Sequence, residues 1–428
     1  MCEDFVVRES VMNNLSRNMR AWLAVISCCA GIFWSGSLIF GFPGVMGEYW
    51  RETFSVSTAA TSKITMFVLL GLACFSFFSG KFHLRFGTRK SFLVGTVLIV
   101  ASMFVLLFGK NIYMVYLWAA LNGASSMFIY SPGLATVQRW IPHKKGLVTG
   151  MVNLVFGISA AIMSPIFKGM LTRFDYKNML TIVVILIVVV NLLALIFCEM
   201  PEFVKLSERQ KKDHHELLEK VRIANEKKGV AAGYFYKPKE AIKTVPFWCM
   251  CVIWACMGAA GISMVTLSTN YAAYLGITSG VVILTVFNIT NGLSRIVAGF
   301  LSDKIGGRTV GCIAFVAATI GYFGLNFGTS FVLITVFAAC VGYGFGTMFA
   351  VSSPILTDIY GIKYFGLIFG LVFMSYGFLG GILGPNLYGV VLQSTGSYHP
   401  VFIYLGIFAL ISAIMIQFVK PLRKKEII

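Results

Sequence analysis

Few residues in this 428-residue chain have a type and a setting that could do chemistry, and the sharpest is one arginine. Arg295 lies in an apolar run that begins near Val281, and it stands eight residues before the first loop charge, Asp303. At the helical rise per residue that spacing places it roughly 12 Å inside the end of a membrane helix. A charge there costs about 2.5–3.5 kcal/mol on insertion scales and marks a substrate or ion path. The competing reading is an arginine that snorkels to the headgroups, and eight residues is long for that. Asn291, at i−4, shares its helix face. A guanidinium presents a two-pronged fork that matches a carboxylate, and a low-dielectric cavity strengthens such a pair. The expected ligand is therefore an anion.

The elements that must position this residue follow from composition. The chain is 57% hydrophobic and 12% charged, with a mean hydropathy of +0.82. Its apolar sequence is cut into runs of about 20 residues, each long enough to span a bilayer. Helices at 21–46, 58–82, 90–109, 112–138, 146–170, 178–199, 247–274, 280–302, 310–327, 330–357, 365–392 and 399–419 are predicted, making an all-α polytopic membrane protein of twelve transmembrane helices. The run 21–42 is too long for a signal-peptide core, so the first helix is expected to be retained.

The net charge of +18 points to nucleic acid only superficially, because Lys and Arg gather in the loops of one face. Lys81, Arg85, Arg89, Lys90, Arg139, Lys144 and Lys145, with Lys420, Arg423, Lys424 and Lys425 of the tail, fall on the side of the termini. The positive-inside bias then predicts both termini in the cytoplasm and a plasma (inner) membrane location. The ten cysteines fall almost all in apolar runs and read as small core residues. No nucleophile–base pair, metal cluster or phosphate loop appears, so neither an enzyme nor a cofactor or metal is expected. A receptor on a transporter scaffold would carry an added signalling domain, and neither tail is long enough.

Glu202 to Lys243 holds eleven Lys/Arg and seven Asp/Glu, with a His214–His215 pair that is a weak metal cue. Such a run reads as a solvated linker with a short amphipathic helix around Leu217 and Val221. It divides the chain into an N-terminal bundle (1–200), a cytoplasmic linker (201–245) and a C-terminal bundle (246–428). The halves repeat: Gly80, Arg85, Gly87 and Arg89 recur 219 positions later as Gly299, Lys304, Gly306 and Arg308. Two pseudo-symmetric six-helix bundles with a substrate near the midplane are the expectation.

These motifs carry a resemblance. Gly80, Arg85, Gly87, Arg89 and Lys90 after the second helix, and Gly299, Asp303, Lys304, Gly306 and Arg308 after the eighth, resemble the signature of the major facilitator superfamily. The resemblance implies the major facilitator fold and gives these residues structural and gating roles. The first copy has Leu84 where an acid is usual. Tyr130, Gln138 to Leu147 and Gly150 around the fourth and fifth helices look like the oxalate:formate antiporter family, which is related to the monocarboxylate transporters. Asn291 to Gly306, and Gly344 to Met348 with Asp358 to Gly361, resemble its eighth and tenth helices. In that family the eighth-helix arginine binds a substrate carboxylate, which is the role implied for Arg295. Proton-coupled relatives tend to carry an aspartate where Asn291 stands. Oxalate exchangers carry a lysine in the eleventh helix, and Tyr376 stands in its place.

One buried cation suits one carboxylate. The expected function is alternating-access transport of a small monocarboxylate such as lactate, pyruvate or formate, by proton symport or anion exchange; the alternative is an oxalate or dicarboxylate exchanger. The expected binding residues are Arg295, Asn291, Tyr130, Tyr376, Tyr343, Phe349 and Phe373. The expected partners are the anion, a proton if transport is coupled to one, and the lipid bilayer, with no nucleic acid and with the protein a monomer. His83 is expected in a solvated loop.

Overall fold

The structure, a computed structural model, describes residues 15–204, 206–227, 235–274, 280–328 and 330–422. Cys2, the tail charges Arg423, Lys424 and Lys425, and part of the linker lie outside the described residues. Eleven helices among the described residues are long and apolar enough to cross a membrane, and the second of them, Lys63–Leu107, is 45 residues long. At about 1.5 Å per residue that length is twice a bilayer core. It is two crossings, because Gly87 adopts φ +81° and ψ 178° in its middle. A left-handed φ with extended ψ is open to glycine and strained for other residues, and it turns the chain back without a loop. The twelve crossings are α1 (Arg17–Phe54), α2 (58–86), α3 (88–107), α4 (Ile112–Trp140), α5 (Lys145–Arg173), α6 (Tyr176–Ala194), α7 (Val245–Tyr274), α8 (Gly280–Ile305), α9 (Gly307–Leu325), α10 (Phe331–Tyr360), α11 (Phe365–Thr395) and α12 (His399–Phe418).

The sequence repeat is matched by a backbone repeat. Gly306, between α8 and α9, has φ +86°, as Gly87 has φ +81° between α2 and α3. In each half the motif makes the same tight reversal, so the two six-helix halves begin from one design.

Three expectations are corrected. The first helix does not end at 46 but runs to Phe54, through a π-helical turn at Ser37–Gly41. Pro43 sits in the first turn of the segment that follows, where its missing N–H costs nothing, so it does not break the helix. His83 is not solvated: the reversal at Gly87 keeps it on α2, buried, with Nε2 3.0 Å from Thr88 Oγ1. The linker is not wholly solvated either. Its helix, Glu208–Lys227, docks on the start of α1, where Arg20 donates to Gln210 Oε1 at 2.8 Å and Gln210 Nε2 donates to the Leu15 carbonyl at 2.6 Å.

At the face of the termini the halves are closed on each other. Asp303 at the end of α8 accepts from the backbone N–H of Gly146 (2.8 Å) and Leu147 (2.9 Å), capping the start of α5 in the other half. A carboxylate at a helix N-terminus meets unsatisfied N–H groups and the positive end of the macrodipole. Gly146 and Gly299 let the two backbones touch, since a Cβ on either would fall 2.2–2.3 Å from the other's carbonyl oxygen. Lys145 pairs with Asp358, Gln138 Nε2 donates to Ser353 Oγ at 2.5 Å, and Thr357 donates to Gln138 Oε1 at 2.9 Å. The other motif residues brace their own halves. Arg89 donates to the carbonyls of Leu195 and Ile196 beyond α6, Arg308 to Gln417 on α12, and Arg85 lies over the Phe86 ring.

The α2–α11 seam is built differently. Gly80 packs against the Gly366 backbone, but Leu84 stands where Asp303 stands in the other copy. A cavity of about 10 Å³, room for one water, remains there beside His83, Leu84 and Gly366. Asp303→Ala removes both cap bonds of the α5–α8 seam. It should cost the closed state about 1–2 kcal/mol, about 5–30-fold in the closed-to-open ratio. With Ser353→Cys as the reactive cysteine, its maleimide labelling should accelerate by that factor; an unchanged rate would show that the cap does not hold the seam.

Candidate anion site between the halves

Arg295 is 2% exposed, on α8, at the contact with α5 and α10. Asn291, one turn earlier, accepts from Nη2 at 3.2 Å and from Nε at 3.4 Å through its Oδ1. Nη1 donates 2.8 Å across the half boundary to the backbone carbonyl of Asn153 on α5. The guanidinium carbon stands 4.6 Å from the centre of the Phe349 ring, a cation–π contact from α10. Gly157 on α5 leaves the room: a Cβ there would lie 3.1 Å from the guanidinium carbon and from Nη1.

A guanidinium has five N–H donors. Its acceptors here are one amide oxygen and one backbone carbonyl, both neutral. By count, one N–H on each terminal nitrogen is left over for an anion. No carboxylate among the described residues is hydrogen-bonded to it.

Asn153 organises the wall. Its Oδ1 accepts from Tyr130 Oη at 2.6 Å, and its Nδ2 donates to the carbonyls of Thr149 (2.9 Å) and Phe349 (3.2 Å). One amide thus joins α4, α5 and α10, while its backbone holds Arg295 of α8. Tyr130 packs 5.0 Å from Phe156 and 6.0 Å from Phe373, ring centre to ring centre. Phe373 lies 5.5 Å from Tyr376, and Tyr376 lies 6.0 Å from Phe349. The structure therefore brings Arg295, Asn291, Tyr130, Phe349, Phe373 and Tyr376 into one cluster. Tyr343 is half-buried on the face of α10 roughly opposite Phe345 and Phe349 and takes no part in that cluster.

Tyr376 opens a π-helical turn, Tyr376–Gly380. Its hydroxyl is buried and has no hydrogen-bond partner. Such turns interrupt a regular helix and recur at functional sites. Two residues escaped the sequence reading. Asn153 carries no signal in its type or spacing and gains its role only when α5 meets α8. Trp254 on α7 is one of seven tryptophans; it is buried, with its ring centre 5.0 Å from Phe349 and 4.9 Å from Phe373.

Comparisons with known proteins agree with this architecture. The family model for the Major Facilitator Superfamily matches residues 23–283 and again 250–427, two overlapping matches that together cover nearly the whole chain. Among curated relatives, an MFS-type transporter of Escherichia coli K12, YhjX, is 25% identical over 72% of this chain and 73% of its own. The oxalate:formate antiporter of Oxalobacter formigenes is 22% identical over 80% of this chain and 78% of its own. Monocarboxylate transporter 13 of Bos taurus is 22% identical over 91% and 87%. Among solved structures, the proton:xylose symporter XylE superposes with a TM-score of 0.74 at 12% identity, covering 94% of this chain and 97% of that one. FucP in its outward conformation gives 0.68 at 11% identity, covering 94% and 100%. With twelve crossings in two repeated halves, and with the family model matching nearly the whole length, the chain is a non-enzymatic membrane transporter that belongs to the Major Facilitator Superfamily.

Proposed function

We propose that this protein carries a small monocarboxylate, of the lactate, pyruvate or formate kind, across the membrane by alternating access, with Arg295 as the carboxylate-binding residue. The observation that carries the reading is the guanidinium itself: fully buried, held by neutral acceptors only, and left with the two donors that a carboxylate needs. A buried charge without a protein counter-ion is costly, and an anionic substrate supplies the missing charge. Tyr376 Oη, unpartnered in the same cluster, is a further donor for it. The oxalate:formate antiporter and monocarboxylate transporter 13 among the relatives support a carboxylate. A single cation supports one carboxylate over two: α11 holds no Lys or Arg between Phe365 and Thr395, and Tyr376 occupies the place where a second charge would help oxalate. The loop charges support a plasma (inner) membrane location with both termini cytoplasmic, and the bundles are taken as 1–200 and 246–428 about a 201–245 linker. Transport runs as proton symport or as anion exchange, by a monomer.

Arg295→Ala and Arg295→Lys should both abolish uptake in proteoliposomes. Arg295→Ala should not lower the melting temperature of the empty carrier, because it removes an uncompensated buried charge, and it should erase the thermal shift produced by lactate or pyruvate. Near-normal uptake by the folded alanine variant would sink the assignment. Asn153→Ala deprives Tyr130 Oη of its acceptor and should cost about 1–3 kcal/mol of stability. Tyr130→Phe added to it should cost little more, since the two share one bond. Additive losses in thermal unfolding would show that the Tyr130–Asn153 bond does not hold the wall.

A further inference from the structure

The two histidines of the linker are placed differently: His215 is exposed, and His214 is half-buried where three elements meet. The His214 ring centre is 6.3 Å from that of Trp140 at the end of α4. Its Nδ1 stands 3.5 Å from Nη2 of Arg17 at the start of α1. The same Nη2 donates to the Trp140 carbonyl, and Trp140 Nε1 donates to the Glu199 carbonyl at 2.7 Å. Arg17 and Trp140 are both buried. Arg17 thus ties α1 to α4, and the linker helix sits on that tie through His214.

The linker helix also packs against the turn Pro142–Lys144. That turn runs directly into Lys145, which pairs with Asp358, and into Gly146 and Leu147, whose N–H groups Asp303 caps. The docked helix therefore backs the segment that closes the two halves.

Charges reach His214 from every side. Arg17 comes from α1, His143 and Lys144 from the 142–144 turn, and Glu202, paired with Arg139 at 2.6 Å, from beyond α6. Its own helix adds Lys211, paired with Glu208 at 2.7 Å, and Asp213 and His215. Burial, and then the Arg17 charge, hold the His214 pKa below its ordinary value; Glu202 opposes them and His215 adds to them. His143 is lowered in the same way, by burial, Lys144 and Arg17, against Asp303. A neutral imidazole turns a lone pair to a guanidinium, whereas an imidazolium has only donors and a like charge to offer.

We propose that His214 is an acid-sensitive clasp: neutral, it seats the linker helix on Arg17 and Trp140 and braces the closed α5–α8 seam; protonated, it is repelled by Arg17, the helix lifts off, and the seam loosens. Docking that lowers a histidine pKa is complete above the ordinary value of about 6.5 and weakens as the pH falls below it. The device responds to protons at the face of the termini, whichever anion is carried.

The test is hydrogen–deuterium exchange of the full-length carrier in nanodiscs, read as protection factors across Glu208–Arg222, which correct for the intrinsic pH dependence of exchange. Off its seat, a polar helix of 20 residues is marginal and exchanges readily. From about pH 7.5 to about pH 5.5, wild-type protection should fall at least about threefold, and by no more than about tenfold per pH unit. His214→Gln, which takes no charge, should keep its protection over that range, and His215→Gln should behave as wild type. His214→Lys, charged throughout, should be poorly protected at both ends. In a Ser353→Cys background at one pH, near 7.5, adding His214→Lys should speed maleimide labelling at least about threefold. Wild-type protection that ignores pH, or a pH dependence that survives His214→Gln or disappears in His215→Gln, would overturn the proposal. So would an unchanged labelling rate in His214→Lys, since the docked helix would then brace nothing.

Discussion

A positive charge sits in a low-dielectric interior with no carboxylate among the described residues hydrogen-bonded to it, and much else in the fold follows from that. Burying Arg295 is tolerated because each of its neighbours offers what a neutral group can: the Asn291 amide oxygen, the Asn153 carbonyl, and the face of Phe349. These come from α8, α5 and α10, so the charge is solvated by both halves at once. Pulling the halves apart strips it of the Asn153 carbonyl. Closing them without an anion leaves its field uncompensated. With the carboxylate bound where we propose, the binding energy of the substrate and the conformational preference of the carrier meet at one residue, the coupling that alternating access needs.

The two halves share a sequence motif and a backbone turn but not a closing contact. At the α5–α8 seam a carboxylate caps a helix across the boundary. At the α2–α11 seam the equivalent position is Leu84, beside a small cavity, and the bond across the boundary is Ser76 Oγ donating to the Gly370 carbonyl at 2.8 Å. The helices repeat, and Leu84 standing opposite Asp303 in the repeat leaves the closure unsymmetrical. The aromatic wall is unsymmetrical as well, since the cation comes from the C-terminal half and Asn153, which braces Tyr130, from the N-terminal half.

What could be read from the chain divides along physical lines. Arg295 was legible because a charge in an apolar run is expensive wherever the run folds, and Asn291 because i−4 on a helix is a fixed geometry. Gly87 and Gly306 were legible as a pair through the repeat. Tyr130, Phe349, Phe373 and Tyr376 were legible through family likeness, not through their spacing, because in a chain with 38 phenylalanines aromatic periodicity carries little information. Asn153 and Trp254 were hidden: one is an ordinary amide and the other an ordinary membrane aromatic until four or five helices converge on them. His83 misled because a basic stretch between two apolar runs looks like a loop, whereas a single glycine with positive φ makes the turn and leaves the histidine inside.

The gap beside Leu84 has a mechanical consequence. Hydrogen bonds to helix-end N–H groups are directional, so the Asp303 contact holds almost fully until its geometry fails and then releases abruptly. At the end of α2, dispersion between Leu84, Gly80 and the start of α11 has no preferred angle and declines gradually with separation; the directional bond of that seam, Ser76 Oγ to the Gly370 carbonyl at 2.8 Å, lies two turns away. One seam behaves as a latch and the other as a bearing.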